Sequence, residues 1–180
     1  MTTILIAADP ADNVFWDPIS SVLQQSYSTL LVRGKQVTVP QQPARVALLD
    51  AGGYAHLQSA ETMVLFRRTR SIAQGLLPPE NCVAVVDSCD DELLRFVSGT
   101  RVPAITCGLS ARDTMTLSSM GEDSAVLNLQ RSVTCFDGAV AEPQEIPVKL
   151  TRSINSYTLM ALACTFILCG DIAGLAGLKI

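Results

Sequence analysis

Four short apolar runs constrain the fold most strongly: TTILIAA at residues 2–8, ARVALLD ending at Asp50, NCVAVVDS at 81–88 and VPAITCGL at 102–109. Each is shorter than a typical helix, rich in Val and Ile, and followed by Gly, Asp or Pro chemistry that turns the chain. Runs of this kind read as strands buried on both faces. The stretches between them have room for helices, so strand, helix and strand repeat as parallel βαβ units.

The connecting segments fill in the rest. Ile19, Val22, Leu23 and Tyr27 recur at helical spacing, which predicts a helix of about ten residues with Asp17 at its N-cap and Pro18 at its first position. STLLVRGKQVTVP (28–40) reads as a hairpin turning at Arg33-Gly34. Between Ser59 and Gly75, Met63, Leu65, Phe66, Ile72 and Ala73 interleave with Arg67, Arg68 and Arg70, which predicts an amphipathic helix with a solvated basic side, closed by Pro78-Pro79. Asp90 is placed to cap a helix running to about Phe96. From Thr114 the runs TMTLSSM, SAVLNLQ, SVTCFDG and EIPVKL alternate with Gly, Asp and Pro, as in an antiparallel meander. The chain then enters a helix, INSYTLMALACTFILCG, that is apolar nearly all round.

The expected fold class is α/β, three-layered, with a mainly parallel central sheet flanked by helices and a small antiparallel β section in the second half. A hydrophobic content of 48% over 180 residues suits a single domain over 1–180 with a substantial core. Charged residues make up only 17% and the net charge is -4, so no basic field exists to hold a phosphate backbone, and nucleic acid is not an expected partner. The apolar run LMALACTFILCG (159–170) falls short of the ~20 residues needed to cross a bilayer, so it reads as a core helix and no membrane association is expected.

Residues 1–8 carry no charged side chain and lead straight into Asp9, which reads as a strand and not as a leader. The six cysteines (Cys82, Cys89, Cys107, Cys135, Cys164, Cys169) contain no C-x-x-C pair and read as reduced, buried small hydrophobes in a cytoplasmic protein. Cys89 and Cys107 lie at predicted strand ends, but cysteine catalysis needs a base and a lowered thiol pKa, and the lone His56 is the one conventional base.

In order and spacing these pieces resemble the central, ATP-binding domain of the Mur ligase family, the enzymes that join amino acids to cell-wall precursors. PARVALLDAGGYAHLQSAE is similar to that family's strand and loop P-x-x-A-V-I-T-N-I-G-x-A-H-L, and SIAQGLLPPENCVAVVDSCDDELL to its G-L-P turn, strand and N-A-D-D-P signature. VPAITCGLSARDTMTLSSM resembles the following I-T-F-G-L strand, and LTRSINSYTLMALACTFILCGD the helix opening G-x-H-N-x-x-N-A-L-A-A-A. The resemblance runs from about residue 43 to 175. Residues 1–42 carry no such signal and are expected to supply an edge strand, a helix and a hairpin in place of the family's phosphate loop.

The resemblance implies site residues and also where they fail. It places His56 on a Mg²⁺-binding histidine and Asp87, Asp90 and Asn155 at nucleotide-contacting positions. The family's loop G-x-x-G-K-S/T is missing; Gly34-Lys35 has no upstream glycine and is followed by Gln36. Where the family has a carbamylated lysine, FRRTRSI offers Arg67, Arg68, Thr69 and Arg70, and a guanidinium neither carbamylates nor coordinates a cation. The strand-end asparagine is Asp87, the next aspartate is Cys89, and the histidine opening the last helix is Ile154. The family's closing third domain is not expected within 180 residues.

Phosphoryl transfer is mostly positioning and electrostatics, so these losses together predict no ATP-dependent ligase activity. His56 then reads as a relic of a metal ligand, and Asp87, Asp90, Asp91 and Glu92 as helix-capping acids that Arg67, Arg68 and Arg70 could complement. The expectation is a non-catalytic Mur-ligase-like binding, scaffolding or regulatory module linked to cell-wall metabolism, without a cofactor, partnered by a protein or by a second copy of itself. The alternative is a nucleotide- or Mg²⁺-binding enzyme or sensor with a rebuilt site near His56 and Asp90, using ATP and Mg²⁺.

Overall fold

The computed structural model describes residues 1–9, 11–51, 59–67, 78–79 and 81–177. The chain packs as two compact units, Met1–Ala104 and Ile105–Ile180. The first contains strands β1 (Thr2–Ala7), β2 (Thr29–Arg33), β3 (Gln36–Thr38), β4 (Val46–Asp50), β5 (Thr62–Phe66) and β6 (Cys82–Asp87), with helices α1 (Asn13–Ser26) and α2 (Asp91–Ser98). The strands lie in the order β6-β5-β1-β4-β2-β3. All neighbouring pairs are parallel except the last.

β1 is central, paired on one side with β4 and on the other with β5. This corrects the expectation of an edge strand. All six of its residues are buried, and only a strand with neighbours on both sides and cover on both faces can bury so continuous an apolar run. Leu5 and Ala7 join Ala47, Leu49, Val64, Phe66, Ala84 and Val86 in one apolar cluster, which α2 covers with Leu93 and Val97. Period-two alternation turns Ile4, Ile6, Leu48, Met63 and Leu65 to the other face, where they are equally buried.

Two other expectations are corrected in this unit. Residues 62–66, expected within an amphipathic helix, form β5, a strand in which every residue is buried. An amphipathic helix would have exposed one side of this run, whereas TMVLF has no polar face to expose. Residues 68–77, the rest of that expected helix, lie outside the described residues.

The first helix starts at Asn13 with Asp12 as its N-cap, and Pro18 sits inside it. The earlier start lets Phe15 and Trp16 reach full burial, which offsets the hydrogen bond that Pro18 cannot donate. The expected β2–β3 hairpin forms with its turn one residue later: Arg33 pairs with Gln36 across a Gly34-Lys35 turn, and Gly34 takes a φ of 56° that a side chain would disfavour.

The second unit begins within β7 (Ala104–Gly108) and contains β8 (Met115–Met120), β9 (Ser124–Leu129), β10 (Val133–Thr134), β11 (Val140–Ala141) and β12 (Gln144–Lys149), then α3 (Ser156–Leu168) and α4 (Ile172–Gly177). β7 and β8 are parallel, β8–β9 and β9–β12 antiparallel, and β10–β11 a separate small ladder. β12 is an edge strand and carries Pro147.

α3 is buried at every residue from Tyr157 to Leu168. It ends in a Schellman motif: the Gly170 N–H donates to Ile167 O at 2.9 Å and the Asp171 N–H to Phe166 O at 2.8 Å, with Gly170 at φ 73°. At 13 residues α3 is a core helix, and no described helix is long and apolar enough to cross a membrane.

Strand β5 gives the first prediction. Leu65→Ala, at a wholly buried position, is expected to cost about 2–5 kcal/mol in urea unfolding, whereas Val37→Ala on exposed β3 stays within about 0.5 kcal/mol. Equal effects at the two sites would contradict the strand assignment.

Candidate functional site

Open parallel sheets bind ligands at the C-terminal ends of their strands. In the first unit the residues following β1 lead directly into α1, and the chain's own carboxylates take the local donors. Asp12 Oδ1 accepts the Phe15 N–H at 3.2 Å, and its Oδ2 lies 3.4 Å from Arg67 Nε. Asp9 Oδ1 accepts the Ala11 N–H at 2.9 Å.

Arg67 follows β5 immediately, and its own N–H donates to Ala7 O at 2.9 Å. Its guanidinium carbon stands 5.6 Å from the centre of the Phe15 ring. The Arg67 side chain is only 13% exposed, so it does not belong to a solvated helix face, and its carboxylate partner is Asp12. Arg68 and Arg70 lie outside the described residues, as does His56.

Asp87 and Asp90 share one turn at the end of β6. Asp87 Oδ1 accepts the Cys89 N–H at 3.0 Å, its carbonyl accepts the Asp90 N–H at 3.2 Å, and Asp90 Oδ1 accepts the Leu93 N–H at 2.9 Å. Asp90 is thus the N-cap of α2, as its sequence context implied, with Asp91 and Glu92 in the first turn. Asn155 belongs to the second unit, where its Oδ1 accepts the Tyr157 and Thr158 N–H groups at 3.0 and 3.3 Å and caps α3.

These arrangements bear on what the strand ends can hold. A helix N-terminus attracts phosphate through free N–H groups and a positive dipole end. At both α1 and α2 a carboxylate already accepts the N–H of the third helical residue, and at α2 Asp91 and Glu92 add further acids in the first turn. At the β1–α1 connection the carboxylates of Asp9 and Asp12 accept the Ala11 and Phe15 N–H groups, so these two donors are engaged by the chain itself. Among the described residues, no group of three His, Cys, Asp or Glu side chains converges to hold a metal ion.

Two of the thiols are shifted away from the lowered pKa that nucleophilic catalysis requires. Burial pushes the Cys82 thiol up to about 11, and burial with the nearby Asp137 carboxylate raises Cys135. Cys89 is exposed, while Cys107 is buried against Cys164.

Sequence reasoning missed three residues here. Asp12 lies outside the helix the sequence predicted, which had Asp17 as its N-cap, although an aspartate three residues before the aromatic pair Phe15-Trp16 is a capping signal. Arg67 was assigned to a helix. Asp50, only 7% exposed at the end of β4 opposite Ile6 of β1, was read as the end of an apolar run, and nothing local in the sequence marks it as buried.

A mostly parallel sheet with helices, joined to a small antiparallel section, is the α/β fold of the Mur ligases. The UDP-N-acetylmuramate:L-alanyl-gamma-D-glutamyl-meso-diaminopimelate ligase from Neisseria meningitides superposes with a TM-score of 0.63 at 14% identity, over 99% of this chain and 66% of that one. A murein peptide ligase from Psychrobacter arcticus gives 0.61 at 7% identity, over 98% of this chain and 46% of that one. E. coli FolC in complex with DHPP and ADP gives 0.55 at 10%, over 99% of this chain and 57% of that one.

The likeness thus extends through residues 1–42, and at these identities it is one of fold. The chain spans less than two thirds of the length of each of these proteins. No protein-family model matches the sequence, and no curated protein matches it.

Two predictions follow from these contacts. Asp12→Ala, which removes the cap and the Arg67 partner together, should lower stability by about 1–3 kcal/mol, and Asp12→Asn, which keeps a capping oxygen, by clearly less. Equal losses would place the stabilisation in the ion pair alone.

The second concerns pH. Folded Cys82 keeps its proton to about 11, whereas the unfolded thiol releases it near 9.0. Its contribution to stability is therefore complete below pH 9.0 and is lost as the pH rises toward 11, with Cys135 adding in the same direction. Denaturant melts of wild type and Cys82→Ala across that range should show a shallower decline in the variant.

Proposed function

We propose that this chain is a Mur-ligase-like domain that does not carry out ATP-dependent ligation and acts as a binding, scaffolding or regulatory module linked to cell-wall metabolism. The observation that carries the reading is the Asp12 carboxylate at the N-terminus of α1, fixed between the Phe15 N–H and Arg67. Phosphoryl transfer depends on preorganised positive donors around the phosphates, and a carboxylate in their position opposes it. Asp90, with Asp91 and Glu92, gives the β6–α2 connection the same polarity.

The link to cell-wall metabolism rests on the fold shared with the N. meningitides and P. arcticus ligases, whose names refer to muramate and murein peptides. The module is read as cytoplasmic, working through a protein partner or a second copy of itself. A sensor that binds nucleotide or Mg²⁺ is the rival reading.

Thermal-shift titration with ATP, ADP and UDP-linked sugars, with and without Mg²⁺, on protein sized by light scattering, decides between them. Ligand at a hundred times its Kd stabilises a protein by about 2.7 kcal/mol, so genuine binding is easily seen. The expected result is no saturable shift and a defined dimer or larger assembly. A saturable, nucleotide-dependent shift would overturn the proposal.

A further inference from the structure

Cys107 lies in β7 and Cys164 in the middle of α3, both within the second unit and at most 1% exposed. Their sulfurs are 3.6 Å apart although the residues are 57 positions apart in sequence. We propose that these two thiols form a reversible intramolecular disulfide, a redox-sensitive staple between β7 and α3. This inference stands apart from the proposed function and does not depend on it.

The geometry asks for little. A disulfide holds its sulfurs about 2.05 Å apart, so the pair must close by roughly 1.5 Å, within reach of side-chain rotation. The ring closed by a 57-residue separation is long, and cross-links across long loops restrict the unfolded chain most.

The oxidant is a hydroperoxide. One thiolate attacks the O–O bond, which breaks to release water and leave a sulfenic acid on that cysteine. The second sulfur displaces the hydroxyl, so the S–O bond breaks, the S–S bond forms and a second water leaves. In total the two thiols lose two electrons and two protons, and hydrogen peroxide becomes two waters. Because both sulfurs are buried, reaction proceeds through local opening, and the same burial then shields the bond from reducing thiols.

Of the other cysteines, Cys89 is exposed, and Cys82 and Cys135 hold their protons more tightly than ordinary thiols. Oxidation of Cys89 therefore serves as an internal control that the reagent has acted.

The test treats the full chain with hydrogen peroxide, quenches in acid, alkylates under denaturing conditions and maps the peptides by mass spectrometry. The expected product is a Cys107–Cys164 cross-linked peptide, a loss of about 2 Da and two fewer alkylated thiols, all reversed by dithiothreitol. The oxidised form should run as a monomer on a non-reducing gel and melt at least about 5 °C higher. Cys164→Ser should abolish the cross-link and Cys89→Ser leave it intact. Because the wild-type peptide map is decisive, a poorly folding Cys164→Ser does not weaken the test. Cys107 and Cys164 still fully alkylatable once Cys89 has been oxidised, or cross-links confined to other cysteines, would overturn the proposal.

Discussion

The structure of the first unit depends on the burial of β1. Six residues, TTILIA, are shielded on both faces and hydrogen-bonded on both edges, with Ile4 opposite Leu48 of β4 and Met63 of β5. Burying each large aliphatic side chain is worth roughly 1.5–3 kcal/mol relative to exposure, so this strand fixes the register of its neighbours. It also fixes where the following loop emerges, and hence which atoms surround the start of α1.

What stands there is negative. Asp12 accepts from the helix, Arg67 neutralises part of its charge from the end of β5, and Phe15 lies beneath the guanidinium. The carboxylate, the guanidinium and the helix dipole satisfy one another within the chain. The carboxylate serves as the helix's own cap and holds the guanidinium in place, which stabilises the start of α1. At β6–α2 Asp90 caps the helix in the same way, while Asp87 accepts the Cys89 N–H.

Much of this fold was legible in the sequence, for reasons that particular residues make clear. Continuous Val, Ile and Ala runs announce doubly covered strands, and Asp90 and Asn155 announce helix starts because short polar side chains can reach back to free N–H groups. TMVLF was misread because three arginines downstream suggested a helical period, yet only Arg67 among them is a described residue, and it lies beyond the strand. The rank of β1 in the sheet was not legible, since strand order is set by distant pairings. The site was harder still: Asp12, Arg67 and Phe15 come together only after β1 and β5 are neighbours.

The edge strands of the two units differ in one respect. Pro147 lies in β12, and a proline cannot donate a ladder hydrogen bond, which confines it to edge strands such as this one. That edge resists extension by another strand, and the device needs no charge. β3, the edge strand of the first unit, has no proline within Gln36–Thr38, and its Val37 side chain is 61% exposed. If sheets from different molecules were to join edge to edge, β3 would be the favoured seam and β12 the disfavoured one.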